Sequence, residues 1–185
     1  MRVASKSVAA LAFGMLLGAP ALRAQGAEFS LGGGVSVPLG DFDDVSKLGW
    51  QGTGAVSFVP SSMPIGFQFD GTYSQFSDDT PLDIKSQFIY GTGNIVYKFK
   101  TSEESRFRPY LIGGGGVYNV KLKGNDVPTG FDDSQTKFGI NAGAGFDFKA
   151  GAAGLFIEAR FHNVFTDGPN TQFVPINVGL RFGGS

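Results

Sequence analysis

Hydrophobic and polar positions alternate with a period of two along almost the whole chain beyond residue 27, the pattern of β-strands with two unlike faces. In LFIEARFHNVF (155–165), Leu155, Ile157, Ala159 and Phe161 alternate with Phe156, Glu158, Arg160 and His162. In KFGINAGAGFDFK (137–149), Phe138, Ile140, Ala142, Ala144, Phe146 and Phe148 oppose Lys137, Asn141, Asp147, Lys149 and three glycines. FVPINVGLRF (173–182) sets Val174, Ile176, Val178, Leu180 and Phe182 against Pro175, Asn177, Gly179 and Arg181. Further upstream, Ile65, Phe67, Phe69 and Tyr73 oppose Gln68, Asp70, Thr72 and Ser74. Eight strands are predicted, over about 27–39, 49–60, 64–77, 85–100, 106–122, 137–149, 154–165 and 172–182. The fifth, RPYLIGGGGVYNVK, is ambiguous in phase because both of its faces carry large apolar residues.

The connections alternate in character. PSSMP, TSEES and AGAAG are short turns, whereas DFDDVSKL (41–48), SDDTPLDI (77–84), KGNDVPTGFDDSQ (123–135) and TDGPNT (166–171) are longer and acidic. Asp41, Asp43, Asp44, Asp78, Asp79, Asp83, Asp126, Asp132, Asp133 and Asp167 fall in these four loops. In an up-and-down meander alternate connections share one end, so the acidic loops gather at one pole.

Which strand face meets water separates two architectures. A soluble sandwich or barrel turns its apolar face inward, whereas a transmembrane barrel turns it toward lipid. Strands of 10–16 residues exceed the usual five or six of soluble sheets and suit a tilted membrane crossing of roughly 9–11. Aromatic residues near strand ends resemble two interfacial girdles: Trp50, Phe58, Tyr73, Tyr97, Phe99, Tyr110, Tyr118, Phe138, Phe146, Phe148, Phe161 and Phe182. The opposite face mixes Gly, Asn, Asp, Lys and Arg, as a narrow filled interior requires. The expected fold is all-β, an eight-stranded antiparallel up-and-down transmembrane β-barrel.

The amino terminus reads differently. MRVASK is basic, SVAALAFGMLLGA is an apolar run of signal-peptide length, and Ala19, Ala21 and Ala24 follow it. Residues 1–24 are therefore expected to be a signal peptide, cut after Ala24 or secondarily Ala21, with 25–185 forming one barrel domain. Of 15 basic residues, Arg2, Lys6 and Arg23 leave with that segment; the remaining 12 against 16 acidic ones give about −4. That balance argues against nucleic acid as a partner. An exported domain without cysteine must be held together by something other than disulfides.

FRPYLIGGGGVYNVK, FGINAGAGFDF, LFIEARFHNVF and QFVPINVGLRF resemble strands of the small outer-membrane β-barrel family, which includes the transmembrane domain of outer membrane protein A and the opacity-like porin family. The resemblance covers about residues 27–182. It implies an outer-membrane location, both termini in the periplasm, loops outside the cell, a monomer, contact with lipid and lipopolysaccharide, and insertion by the barrel-assembly machinery. Such chains typically finish on an aromatic residue read by that machinery, whereas here Phe182 is followed by Gly183, Gly184 and Ser185.

With the apolar row toward lipid, Glu158, Arg160 and His162 face the lumen, which in eight strands is only wide enough for side chains to fill. Charges there must pair. Asp70, Asp147, Glu158 and Glu28 are expected to meet Arg160, Arg181, Lys98, Lys137 and Lys149 in one structural network that also takes in His162. His162 has no serine beside it, so a His–Ser catalytic arrangement would need one from another strand; no catalytic residue is assigned. Gly113 to Gly116 lie inside a strand pattern, where glycine makes room for large neighbours rather than cradling phosphate. GNDVPTGFDD lacks calcium-loop spacing, and neither metal nor cofactor is expected. The favoured function is a non-enzymatic structural or surface-interaction barrel; the alternatives are a lipid-modifying barrel enzyme and a soluble exported barrel binding an apolar ligand.

Overall fold

The computed structural model describes residues 27–43, 46–60, 62–77, 85–102, 105–123, 135–150 and 153–183. Eight strands run β1 (Ala27–Leu39), β2 (Gly49–Phe58), β3 (Ile65–Ser77), β4 (Lys85–Lys98), β5 (Phe107–Lys123), β6 (Gln135–Ala150), β7 (Ala153–Val164) and β8 (Thr171–Gly183). Each pairs antiparallel with the next and β8 returns to β1, closing the barrel. Their ends depart from the predicted ones by two residues at most. β2 stops at Phe58 because Pro60, with no N–H to give, follows closely.

Closure explains how a chain without disulfides holds its shape, since no strand edge is left unpaired. The register fixes the geometry. Following Cα partners round the wall leads from Glu28 through Ser57, Gln68, Asn94, Gly114, Asn141, His162 and Phe173 to Pro38. One circuit thus climbs ten residues along β1, from 28 to 38, which tilts the strands by roughly 35–45°. Among the described residues no helix is long and apolar enough to cross a membrane; the strands make the apolar wall.

Alternation assigns the faces. On β7, Ile157 is 42% exposed while Glu158 beside it is 3% exposed, and the same alternation runs from Leu155 to His162. Phe67, Phe69, Ile89, Ile95, Leu111, Val117, Ile140 and Val178 stand on the outside. The phase of β5 is settled: Leu111 and Val117 face out, while Tyr110, Ile112 and Tyr118 face in. Two members of the expected girdle are therefore misplaced, because Tyr110 and Tyr118 are fully buried in the lumen. Their hydroxyls explain the choice, each finding a buried polar partner there.

Glycine accommodates these large inward side chains. A Cβ at Gly139 would sit 2.7 Å from the Tyr118 ring, one at Gly143 2.9 Å from Arg160 Cγ, and one at Gly145 would collide with the Tyr110 ring and hydroxyl. Glycines on β6 are thus the bare floor on which neighbouring strands lay their bulk. Beyond β1 a short 3-10 turn, Gly40–Phe42, begins on Gly40 at φ +59 and folds Phe42 over the barrel mouth.

The N-terminal segment 1–26 lies outside the described residues, as do Asp44, Asp78, Asp79, Asp83, Asp126, Asp132 and Asp133 of the acidic loops. Asp41 and Asp43 are described within and just after the 3-10 turn, and Asp167 lies between β7 and β8.

Candidate functional site

The lumen is filled in three tiers. At the end of the short turns, four charges from four strands form a ring. Lys98 Nζ lies 2.6 Å from Glu28 Oε2 and 3.4 Å from Asp147, and Arg181 Nη1 lies 2.7 Å from Asp147 and 3.8 Å from Glu28. Arg181 Nε also donates to Ser30 Oγ at 3.0 Å. Its guanidinium sits 5.3 Å from the ring centres of both Tyr110 and Phe156, so the apolar part of the tier stacks on the cation. Two cations and two carboxylates balance, and the ring ties β1 and β8 at the seam to β4 and β6.

The middle tier is built on Arg160. Its Nη1 donates to Asp70 Oδ2 at 3.0 Å, its Nε to Glu158 Oε1 at 2.7 Å, and its Nη2 lies 2.6 Å from the same oxygen. All three side chains are nearly inaccessible. Two carboxylates face one guanidinium here, and neutral donors meet the surplus negative charge. Tyr110 donates to Glu158 at 2.8 Å, and Thr92 and Asn94 each donate to Asp70 at 2.8 Å. Each carboxylate is thereby saturated, the condition under which buried charge is tolerated.

The third tier, toward the longer loops, is aromatic. Phe76, Phe88, Tyr90, Tyr118, Val164 and Phe173 form one buried cluster, with Phe42 edge-on to Phe76 and Phe88 at 5.0 and 5.8 Å. Beside its polar tiers the interior thus carries an apolar one, which the polar face read from the sequence did not include. The signal was present in strand parity, since Phe76 continues the inward series Asp70, Thr72, Ser74, and Phe88 is two residues from inward Tyr90. Beside the cluster a smaller polar relay joins Ser36, Gln51 and Asn177 at 2.7 and 2.6 Å.

His162 belongs to this aromatic tier. Its Nδ1 is hydrogen-bonded to the Tyr118 hydroxyl at 2.7 Å, and its ring stacks on Phe173 at 5.0 Å and 16° and meets Tyr90 edge-on. Among the described residues, the recorded partners of the imidazole are Tyr118, Tyr90 and Phe173. Of the six site residues read from the sequence, Asp70, Glu158 and Arg160 meet directly, Asp147 and Arg181 meet in the lower ring, and His162 joins neither. Lys137 and Lys149 lie outside the network as well. Lys137 pairs instead with Asp167 at 2.5 Å at the loop rim, and Lys149 is exposed near the opposite end. Both sit at strand ends, where water solvates an ammonium. Among the described residues no cluster of His, Asp or Glu is placed to hold a metal ion.

The outward apolar band, the filled lumen and the closed eight-strand meander agree with a comparison of the sequence against known families. The outer membrane protein beta-barrel domain matches residues 9–182. The chain belongs to this family. It is a protein of the cell outer membrane, which accounts for the apolar residues on its surface.

Among curated relatives, the outer membrane protein PagN of Salmonella typhimurium is 24% identical over 122 aligned residues, 56% of this chain and 51% of PagN, so the chain matches about half of that relative's length. The crystal structure of Neisserial surface protein A superposes with a TM-score of 0.64 at 16% identity, covering 85% of this chain and 96% of that one. The crystal structure of the outer membrane enzyme PagL superposes at 0.51 and 17% identity, covering 84% and 99%. At such identities the likeness is one of fold.

Proposed function

We propose that this chain is a non-enzymatic barrel of the outer membrane, its plugged lumen a structural brace and its acidic loops a surface presented outside the cell. The observation that supports this reading is the engagement of the lumen's reactive-looking groups with one another. Arg160 is held by Asp70 and Glu158, and His162 is held between Tyr118 and Phe173. A general base needs a proton to abstract within hydrogen-bond reach, and the partner of this imidazole is a buried phenol. The fold alone does not decide, since Neisserial surface protein A and the enzyme PagL share it.

In this reading residues 1–24 are removed on export and the remainder is inserted as a monomer by the barrel-assembly machinery. Lipid and lipopolysaccharide contact the apolar wall, and nucleic acid has no part. The test is the lipid composition of cells expressing the chain. Mass spectrometry of lipid A and phospholipids is expected to give the same acyl pattern with and without it. A new deacylated or acyl-transferred species that disappears in His162→Asn would overturn the proposal in favour of a lipid-modifying enzyme.

A further inference from the structure

Beyond the charged ring, three neighbouring strands finish on the same alternation of aromatic and cation. β4 runs out through Phe99 and Lys100, β5 enters through Arg106, Phe107 and Arg108, and β6 leaves through Phe148 and Lys149. The rings are exposed on the outer wall, where Phe107 stacks on Phe146 at 4.9 Å and lies 5.3 Å from Phe148. Each cation has the opposite parity, that of inward Lys98, Tyr110 and Asp147. The lipid side of this rim is thus sealed by aromatic carbon, and the cations stand on its aqueous side.

The fold does not account for these cations. Lys149 N donates to Arg106 O at 2.8 Å, so the two residues are directly opposite. Phe99 N donates to Pro109 O at 3.0 Å, and one step along the ladder Lys100 comes across from Arg108. Like charges opposite one another on neighbouring strands are destabilising. Among the described residues none of the four makes a side-chain ion pair or hydrogen bond, since Glu28 and Asp147 are already taken by Lys98 and Arg181. Glu103 and Glu104, between β4 and β5, lie outside the described residues; counted in full, they still set only two carboxylates against four cations. Lys100, Arg106 and Lys149 are exposed and Arg108 is half-buried. Arg106 and Arg108 are two residues apart on one strand face, about 6–7 Å, the spacing at which alternate side chains of an extended peptide recur.

We propose that this cationic rim is a docking surface for an acidic peptide segment of another protein, an extended stretch with carboxylates at alternate positions. Each guanidinium takes one carboxylate, which its fork matches bidentately, and Lys100 and Lys149 flank the pair. Charge complementarity selects the sign of the partner. The aromatic seal on the lipid side selects a soluble segment over a lipid headgroup. That the partner is periplasmic rests on the function proposed above; the binding itself does not.

The test is fluorescence anisotropy of a labelled peptide of alternating glutamate and serine, added to the barrel refolded in phosphatidylcholine nanodiscs, which leave both ends open to solvent. Saturable binding that weakens with salt is expected for this peptide and none for its glutamine counterpart. Arg106→Gln combined with Lys149→Gln is expected to weaken binding roughly tenfold, the worth of two exposed ion pairs, with the barrel folded by its gel mobility. Lys121→Gln, which removes an exposed cation at the loop end of β5, is expected to leave it unchanged. No binding by the native chain, or equal binding by the Arg106 and Lys149 double variant, would overturn the proposal. So would loss of the peptide when phosphatidylglycerol replaces phosphatidylcholine, which would make the rim a headgroup site, or its displacement by inorganic phosphate, which would make it a small-anion site. None of these results bears on the lipid analysis that tests the proposed function.

Discussion

Tyr110 illustrates how much one inward side chain carries. Its hydroxyl satisfies Glu158, its ring lies under Arg181, and Gly145 is empty so that it fits. Tyr110→Phe keeps the ring and removes the donor, so it is expected to cost about 1.5–3 kcal/mol, the range for a hydrogen bond to a charged group. Gly145→Ala should cost more than Gly71→Ala, although both are strand glycines. A Cβ at Gly71 meets nothing within 4 Å, whereas one at Gly145 meets Tyr110. Urea titrations of folded fraction, read by gel mobility, check all three; equal losses at Gly71 and Gly145 would contradict the packing described. The row of Glu158, Arg160 and His162 was legible in the sequence because β7 alternates without interruption. The partner of Glu158 was not, since Tyr110 lies 48 residues away on a strand with two apolar faces.

At the scale of elements, strand positions followed from periodicity and from the prolines and polar loops that punctuate it. The phase of β5 did not, because Tyr110 and Tyr118 on one face look no more apolar than Leu111 and Val117 on the other. Only their buried hydrogen-bond partners on β7, Glu158 and His162, distinguish them. The lower ring shows that cross-barrel contacts bind strands distant in sequence, with Lys98 of β4 meeting Glu28 of β1. Lys98→Met leaves Glu28 and Asp147 to share Arg181. The loss is expected to approach, without reaching, the roughly 3–5 kcal/mol of breaking a fully buried pair, because the carboxylates retain some solvent contact. Adding Glu28→Gln should recover part of it. A double-mutant cycle in refolding stability measures the coupling, and strictly additive losses would show that the two side chains do not interact.

For the molecule as a whole, the up-and-down order puts the connections after β2, β4 and β6 at one end and those after β1, β3, β5 and β7 at the other. With the loops outside, single cysteines at Asp79 and Asp132 are expected to react with an impermeant maleimide on intact cells, and one at Ser102 is not. Labelling at Ser102 alone would invert the barrel in the membrane. The central claim, however, is which side of the wall is wet, and the pair Ile157 and Arg160 tests it most directly. Ile157 is 42% exposed on the outer face and Arg160 is 5% exposed inside, three residues along the same strand. Equilibrium unfolding in lipid vesicles should show Ile157→Arg losing about 2–4 kcal/mol, the cost of a cation near the bilayer midplane, with Ile157→Leu nearly silent. Arg160→Leu should be at least as harmful although leucine is the more apolar residue, because Asp70 and Glu158 are then left buried against each other. If instead Arg160→Leu stabilises the barrel while Ile157→Arg is tolerated, the polar face is the outer one and the account is wrong.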